Sequence, residues 1–208
     1  MNTNLSILEL LEAIQSLRWT RLLLLLVLLV CVATPITGFV LGEFTDILDL
    51  SPGAAMDAPI QKGFFWALPA ARFVAMVASM TLSLTLLLSV MVTALGGRGG
   101  AGSMTASFTW SLVLLMMVTP WERLLGGSIA CGMLFNFGEL ATAYRAAQAN
   151  ANDLMGQIHY YGRFLGYPTL GFLVWVMVMF KSGKADRLSL GQGTSQLANP
   201  ADTTYLAQ

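Results

Sequence analysis

Residues 22–42 read LLLLLVLLVCVATPITGFVLG, a run of 21 residues without a charged side chain between Arg21 and Glu43. An α-helix needs about 20 apolar residues to cross the hydrocarbon core of a bilayer. The apolar region of a cleaved signal peptide is shorter, roughly 7 to 15 residues. The run therefore predicts an uncleaved transmembrane helix. It indicates that this chain folds in a membrane.

Three further uncharged runs have comparable lengths. They hold 25 residues between Arg72 and Arg98, 23 between Arg98 and Glu122, and 17 between Arg163 and Lys181. Only 11% of the chain is charged and 56% is hydrophobic, whereas roughly a quarter of a soluble domain is charged. We predict an all-α integral membrane helical bundle with four transmembrane helices, at about 22–42, 70–95, 103–119 and 164–180.

The four spans divide the chain into a membrane domain, residues 1–180, and a tail, residues 181–208. The tail loses apolar periodicity and buries too little surface to fold alone, so we expect it to be flexible and cytoplasmic. Residues 43–69 and 120–163 become external segments. They carry most of the acids, and the other side carries a slight excess of Lys and Arg, which favours cytoplasmic termini. We expect a bacterial-type plasma (inner) membrane.

Residues 6–17 predict an amphipathic helix before the first span. Ser6 and Glu9 have the spacing of a capping box. One face is apolar and consists of Ile7, Leu10, Leu11, Ile14 and Leu17. Such a helix lies on the membrane surface or docks on a partner protein, and its acidic polar face argues against binding to anionic lipid.

Residues 124–138, LLGGSIACGMLFNFG, are too short and too rich in glycine for a regular span. We interpret them as a re-entrant or interfacial segment, because irregular backbone at membrane depth needs protein or water against its polar groups. The preceding Thr119, Pro120 and Glu122 suit the N-cap, the first and the third position of a short helix. This stretch predicts a hinge after span three.

Span two carries small side chains every fourth residue: Ala67, Ala71, Ala75, Ser79 and Ser83. Small residues let helix backbones approach closely in lipid, so this ladder predicts a helix-packing surface. Gly162 and Gly166 form a shorter example at the entry to span four. The hydroxyls of span two are also compatible with the lining of a solute path.

Local signals predict structure in the second external segment. Glu139 lies at the favourable N-terminal end of an alanine-rich stretch, which predicts a surface helix over 139–148. Asp153 is placed to cap the helix that leads into span four. Pro168 should kink that helix by freeing the carbonyl of Phe164.

The same segment holds the candidate polar cluster, which consists of Glu122, Arg123, Glu139, His159 and Arg163. A di-metal site needs Glu-x-x-His pairs on facing helices and a hydrolase needs a nucleophile elbow, and the sequence has neither. We therefore predict no metal site, no catalytic residues and no cofactor. The two cysteines give no disulfide framework, and a net charge of zero gives no argument for nucleic acid.

These features favour a non-catalytic scaffold or accessory subunit that packs in the lipid bilayer with other membrane helices or with copies of itself. The small-residue ladder, the amphipathic N-terminus and the expected absence of buried charge inside any span support it, since intramembrane charge usually marks transport. The alternative is a small transporter or channel with a path near span two and the broken segment 124–138. A third hypothesis is a membrane-surface enzyme that uses Glu122, Glu139 and His159.

Overall fold

A computed structural model describes residues 3–44, 59–95, 100–121, 132–149 and 153–198. Its helices are α1 (Thr3–Phe44), α2 (Pro59–Leu95), α3 (Ala101–Val118), α4 (Phe137–Ala149), α5 (Leu154–Tyr161) and α6 (Tyr167–Ala198). A π-helical turn, Gly162–Gly166, joins α5 to α6. Among the described residues, four stretches are long and apolar enough to cross a membrane: Gln15–Phe44, Gln61–Leu95, Ala101–Val118 and Leu154–Leu188. They overlap the four predicted spans, so the all-α bundle is confirmed.

The four long helices pack in a ring. Helix α1 contacts α2 and α6, and α3 contacts the same two helices on the other side. The two ends of this bundle differ in their side chains. At one end Arg21 of α1 pairs with Asp186 of α6, and we call it the arginine end. At the other end Phe64 of α2 lies against Gly38 of α1. Aromatic side chains around Tyr160 gather there, and we call it the aromatic end.

The interior of the bundle is apolar and closely packed. Leu28 of α1, Leu82 and Leu86 of α2, Leu114 of α3 and Val178 of α6 are completely buried. Many large apolar side chains on the outer faces are exposed in the isolated chain. Because lipid is as apolar as these side chains, the helices associate mainly through close packing and interhelical hydrogen bonds.

The small-residue ladder of span two lies mostly inside this bundle. Ala75, Ser79 and Ser83 are buried, Ala71 is half-buried, and Ala67 is exposed. Ser83 Oγ lies 3.2 Å from the hydroxyl of Ser111 on α3. The centre of the ladder is therefore used for packing between helices of one chain.

The N-terminal amphipathic stretch is helical as predicted, but it forms one continuous helix with the first span. At about 1.5 Å per residue, a helix of 42 residues is about 63 Å long and exceeds the thickness of the hydrocarbon core. Because the helix is not interrupted, residues 6–17 have no hinge that would let them lie flat on the membrane surface. The two elements expected from the sequence are thus a single one.

The C-terminal region also departs from expectation, because residues 181–198 continue α6 where a flexible tail was expected. Ser182 and Ala185 are buried against the bundle, and Asp186 forms ion pairs with Arg18 and Arg21. These contacts stabilise the helix beyond the last apolar run. Residues 199–208 lie outside the described ranges.

The expectation that no charge is buried within a span is wrong. Arg21 keeps only 2% of its surface exposed and Arg72 only 8%, and both belong to membrane-length helices. The first predicted span stopped beside Arg21, whereas the second, 70–95, already included Arg72 near its start. A helix can remain buried beyond a charged residue where another helix supplies a counter-charge, as Asp186 does for Arg21. The length of an uncharged run in the sequence does not reveal such pairing.

Local predictions near span four are mostly confirmed. The alanine-rich helix runs from Phe137 to Ala149, and Asp153 caps α5 by accepting a hydrogen bond of 3.1 Å from the N–H of Met155. The expected disturbance before Pro168 takes the form of the π-helical turn, in which the N–H of Tyr167 donates to the carbonyl of Gly162. Pro168 has no N–H of its own, so the regular α-helical ladder is broken here.

Candidate functional site

The described end of the predicted re-entrant segment, residues 132–136, is irregular backbone that is largely buried in protein. The N–H of Met133 donates to the carbonyl of Met117, at 2.7 Å, which fixes the segment on the end of α3. A Cβ on Gly132 would lie 2.7 Å from the carbonyl oxygen of Thr119, so only glycine fits this approach. Residues 122–131, including the predicted third helix position at Glu122, lie outside the described part of the chain. Thr119, predicted as the N-cap of that short helix, is instead the C-cap of α3, and its hydroxyl donates to the carbonyl of Leu115 at 2.7 Å.

Two members of the predicted polar cluster form an ion pair. Arg163 Nη2 lies 3.8 Å from Glu139 Oε2, and Arg163 Nη1 donates to the carbonyl of Gly132 at 2.9 Å. Glu139 also accepts from the backbone and side-chain nitrogens of Asn136, at 3.4 and 3.3 Å. The pair joins α4, the irregular segment and the π-helical turn. These contacts hold the three elements together, and we call them the clamp.

The remaining members of the cluster are not part of this clamp. His159 is exposed on α5 and lines a groove of about 540 Å³ that Asp153 and Arg163 also line. Glu122 and Arg123 lie outside the described residues. Within the described ranges, no group of three His, Cys, Asp or Glu side chains is arranged to hold a metal ion.

A second polar contact at the aromatic end was missed by sequence reasoning. The hydroxyls of Tyr160 and Tyr161 donate to the carboxylate of Glu43, at 3.3 and 3.1 Å. Phe39 packs against the Tyr160 ring, with centroids 5.6 Å apart. The sequence features that could have indicated this contact were the tyrosine pair before span four and Glu43, the first acid after span one. Their contact links the ends of α1 and α5.

The outer surface of α5, the π-helical turn and α6 carries a shallow groove of about 700 Å³, which we call the glycine groove. Its floor contains Gly162, Gly166 and Thr169, and its walls are mainly apolar. A Cβ on Gly162 would meet nothing within 4 Å, and one on Gly166 would meet only the carbonyl of Tyr161, at 3.7 Å. The Thr169 hydroxyl donates to the carbonyl of Leu165. The groove is thus a surface where another backbone can approach closely.

The arginine end holds the other buried polar site. Asp186 accepts a hydrogen bond from Arg21 and lies 3.7 Å from Arg18 Nε. Arg21 Nη1 also lies 3.5 Å from the sulfur of Met104. The sequence offered a weak signal, because Arg18 and Arg21 are one helical turn apart and Asp186 is the first acid after span four.

No protein family, curated protein or solved structure matches this chain. Its function must therefore be inferred from its own geometry. That geometry comprises a packed four-helix bundle, a clamp at the aromatic end, an open glycine groove and a buried ion pair at the arginine end.

Proposed function

We propose that this multi-pass membrane protein is a non-catalytic accessory subunit that binds a transmembrane helix of a partner protein in the glycine groove. The single observation that carries the proposal is the open surface at Gly162 and Gly166. Both glycines belong to a helix of membrane length and are exposed on its outer face. In lipid, such a pair lets a second helix come close enough for extensive van der Waals contact.

The glycine groove is a better candidate for a partner surface than the small-residue ladder. Ala75 is completely buried, and Ser79 and Ser83 keep only 1% and 6% of their surface exposed. Substitution in the ladder would therefore disturb the bundle itself. Substitution at Gly162 or Gly166 changes a surface that the described part of this chain leaves open.

The buried Arg21 and Arg72 remove one argument against the transporter hypothesis, but the hydroxyls of span two do not support a solute path. Along α2, the hydroxyls of Ser79, Thr85 and Ser89 donate to carbonyls of their own helix, those of Met76, Thr81 and Thr85. Hydroxyls used in this way are satisfied without water or solute. The enzyme hypothesis is also weaker, because Glu139 is engaged by Arg163 and Asn136, while His159 lies on an exposed groove wall.

We further propose that the arginine end faces the cytoplasm of a bacterial-type cell, with both termini on that side. Basic residues close to the ends of membrane spans favour the cytoplasmic side. Those at the arginine end are Arg18, Arg21, Lys181, Lys184 and Arg187. Arg98, in the connection between α2 and α3, adds to this set on the sequence.

The partner-helix proposal is tested with full-length Gly162→Leu and Gly166→Leu variants, purified from their native membrane in mild detergent. Each leucine fills the groove, so we expect at least a tenfold loss of the co-purifying membrane protein. Gly102→Leu is the matched control, because Gly102 is also an exposed helical glycine with nothing within 4 Å of a Cβ. The control should retain the partner.

Thermal unfolding of all three variants separates loss of binding from loss of fold. A wild-type protein that is a monodisperse monomer without a partner would contradict the proposal. Full retention of the partner in both groove variants would contradict it as well. Self-association that both variants abolish would replace the partner protein with a second copy of this chain.

A further inference from the structure

A second groove, of about 490 Å³, lies between α1 and α6 at the arginine end. We call it the cationic groove. Four of its lining residues are basic and one is acidic: Arg18, Arg21, Lys184, Arg187 and Asp186. Three positive charges therefore remain after one is balanced by the acid.

The acid is already engaged by residues of the groove. Asp186 interacts with both Arg21 and Arg18, so it does little to neutralise the other cations. Lys184 and Arg187 are exposed on α6 and form no ion pair with any described residue. In addition, Nε of the buried Arg21 has no hydrogen-bond partner within the described ranges. The groove thus presents exposed positive charge beside a buried guanidinium that keeps one unsatisfied donor.

Apart from Ser182 and Gly183, the rest of the lining of the cationic groove is apolar. It consists of Leu22, Leu25, Met179 and Phe180. Leu22 and Phe180 are exposed toward the membrane, at 46% and 65% of their surfaces. Gly183 lies between the basic and apolar parts, and a Cβ there would meet nothing within 4 Å. The groove is therefore amphipathic, with room at the boundary between its two parts.

The groove lies near the ends of two membrane-length helices, where lipid headgroups are expected. The first membrane-length helix begins at Gln15, and the last one ends at Leu188. The basic residues lie within a few residues of these ends, while Leu25 and Met179 lie further into the spans. A ligand of this groove would meet cations at its outer end and hydrocarbon at its inner end.

We propose that the cationic groove binds the phosphate headgroup of an anionic phospholipid, with its acyl chains along Leu22 and Phe180. Arginine and lysine form strong charge-assisted hydrogen bonds with phosphate oxygens. Basic pockets between transmembrane helices are suited to anionic headgroups for this reason. The adjacent apolar surface selects a phosphate that carries acyl chains over a free phosphate.

The test measures lipid binding to the full chain in mild detergent by native mass spectrometry, with phosphatidylglycerol and phosphatidylcholine as probes. We expect the wild type to bind phosphatidylglycerol at least tenfold more tightly. Lys184→Gln with Arg187→Gln should weaken that binding about 20-fold, since each cation near the headgroups contributes several-fold. Both side chains are exposed, so the double variant should keep its fold.

Lys62→Gln with Arg145→Gln is the matched control, because it removes one exposed lysine and one exposed arginine that do not line the groove and lie on helices at the aromatic end. The control should bind phosphatidylglycerol like the wild type. Equal binding of the two lipids, or an equal loss in control and groove variants, would overturn the proposal. Competition by inorganic phosphate at the same concentration as the lipid would identify free phosphate as the ligand and overturn the lipid assignment.

Discussion

Among individual residues, Arg21 has the most demanding environment. Its guanidinium is almost fully buried at the arginine end, where it pairs with Asp186. Removing two charges from water costs several kcal/mol per ion, and close pairing offsets that cost. The pair is therefore a weak source of net stability, but either partner left alone would be strongly destabilising.

Replacing only one member of the pair should cost much more stability than the intact pair contributes. Asp186→Asn leaves the buried arginine without its counter-charge, and we expect a loss of about 3 kcal/mol in the free energy of unfolding. This is the lower end of the usual range, because the Asp186 side chain keeps 15% of its surface exposed. Denaturation in mixed micelles followed by circular dichroism measures the change.

The double variant Arg21→Met with Asp186→Leu supplies the control. It removes both charges and fills the space with apolar groups, so most of the lost stability should return. An Asp186→Asn variant as stable as the wild type would show that Arg21 does not depend on the pair.

At the scale of elements, α6 is held by a close contact with the irregular segment. A Cβ on Gly171 would overlap the sulfur of Met133, which is completely buried. Any larger residue at this position would force the Met133 side chain to move. Sequence patterns singled out Gly162 and Gly166, which the bundle leaves open, and gave no sign that Gly171 is the tightly packed one.

Gly171→Ala should therefore lower the free energy of unfolding by about 1–3 kcal/mol through overpacking. Gly183→Ala, on the same helix in open space, should be neutral or stabilising by up to about 1 kcal/mol, because alanine favours helix. Paired unfolding curves in the same detergent give both values. Equal stability of the two variants would mean that Met133 moves aside without cost.

For the whole molecule, the antiparallel arrangement puts Lys62 and Lys181 at opposite ends of the bundle. Both side chains are exposed. In a chain with Cys31→Ala and Cys131→Ser, we expect Lys181→Cys to react only with a thiol reagent applied from the cytoplasmic side. Lys62→Cys should react only from the opposite side.

Labelling in intact cells and in inverted vesicles with an impermeant maleimide measures this accessibility. Reaction of both cysteines from one side would contradict the four-span arrangement. Reaction from opposite sides in the reverse sense would keep the bundle and invert the proposed orientation.

The sequence by itself determined the all-α membrane class, the four spans and the local caps around Glu139 and Asp153. These depend on the length of apolar runs and on near neighbours along the chain, which are properties of sequence. Only the tertiary structure decided that Ser83 packs inside the bundle, that Gly162 faces outward, and that Arg21 meets Asp186. Those outcomes depend on which helix faces meet, and helix periodicity specifies the faces of one helix without specifying its neighbour.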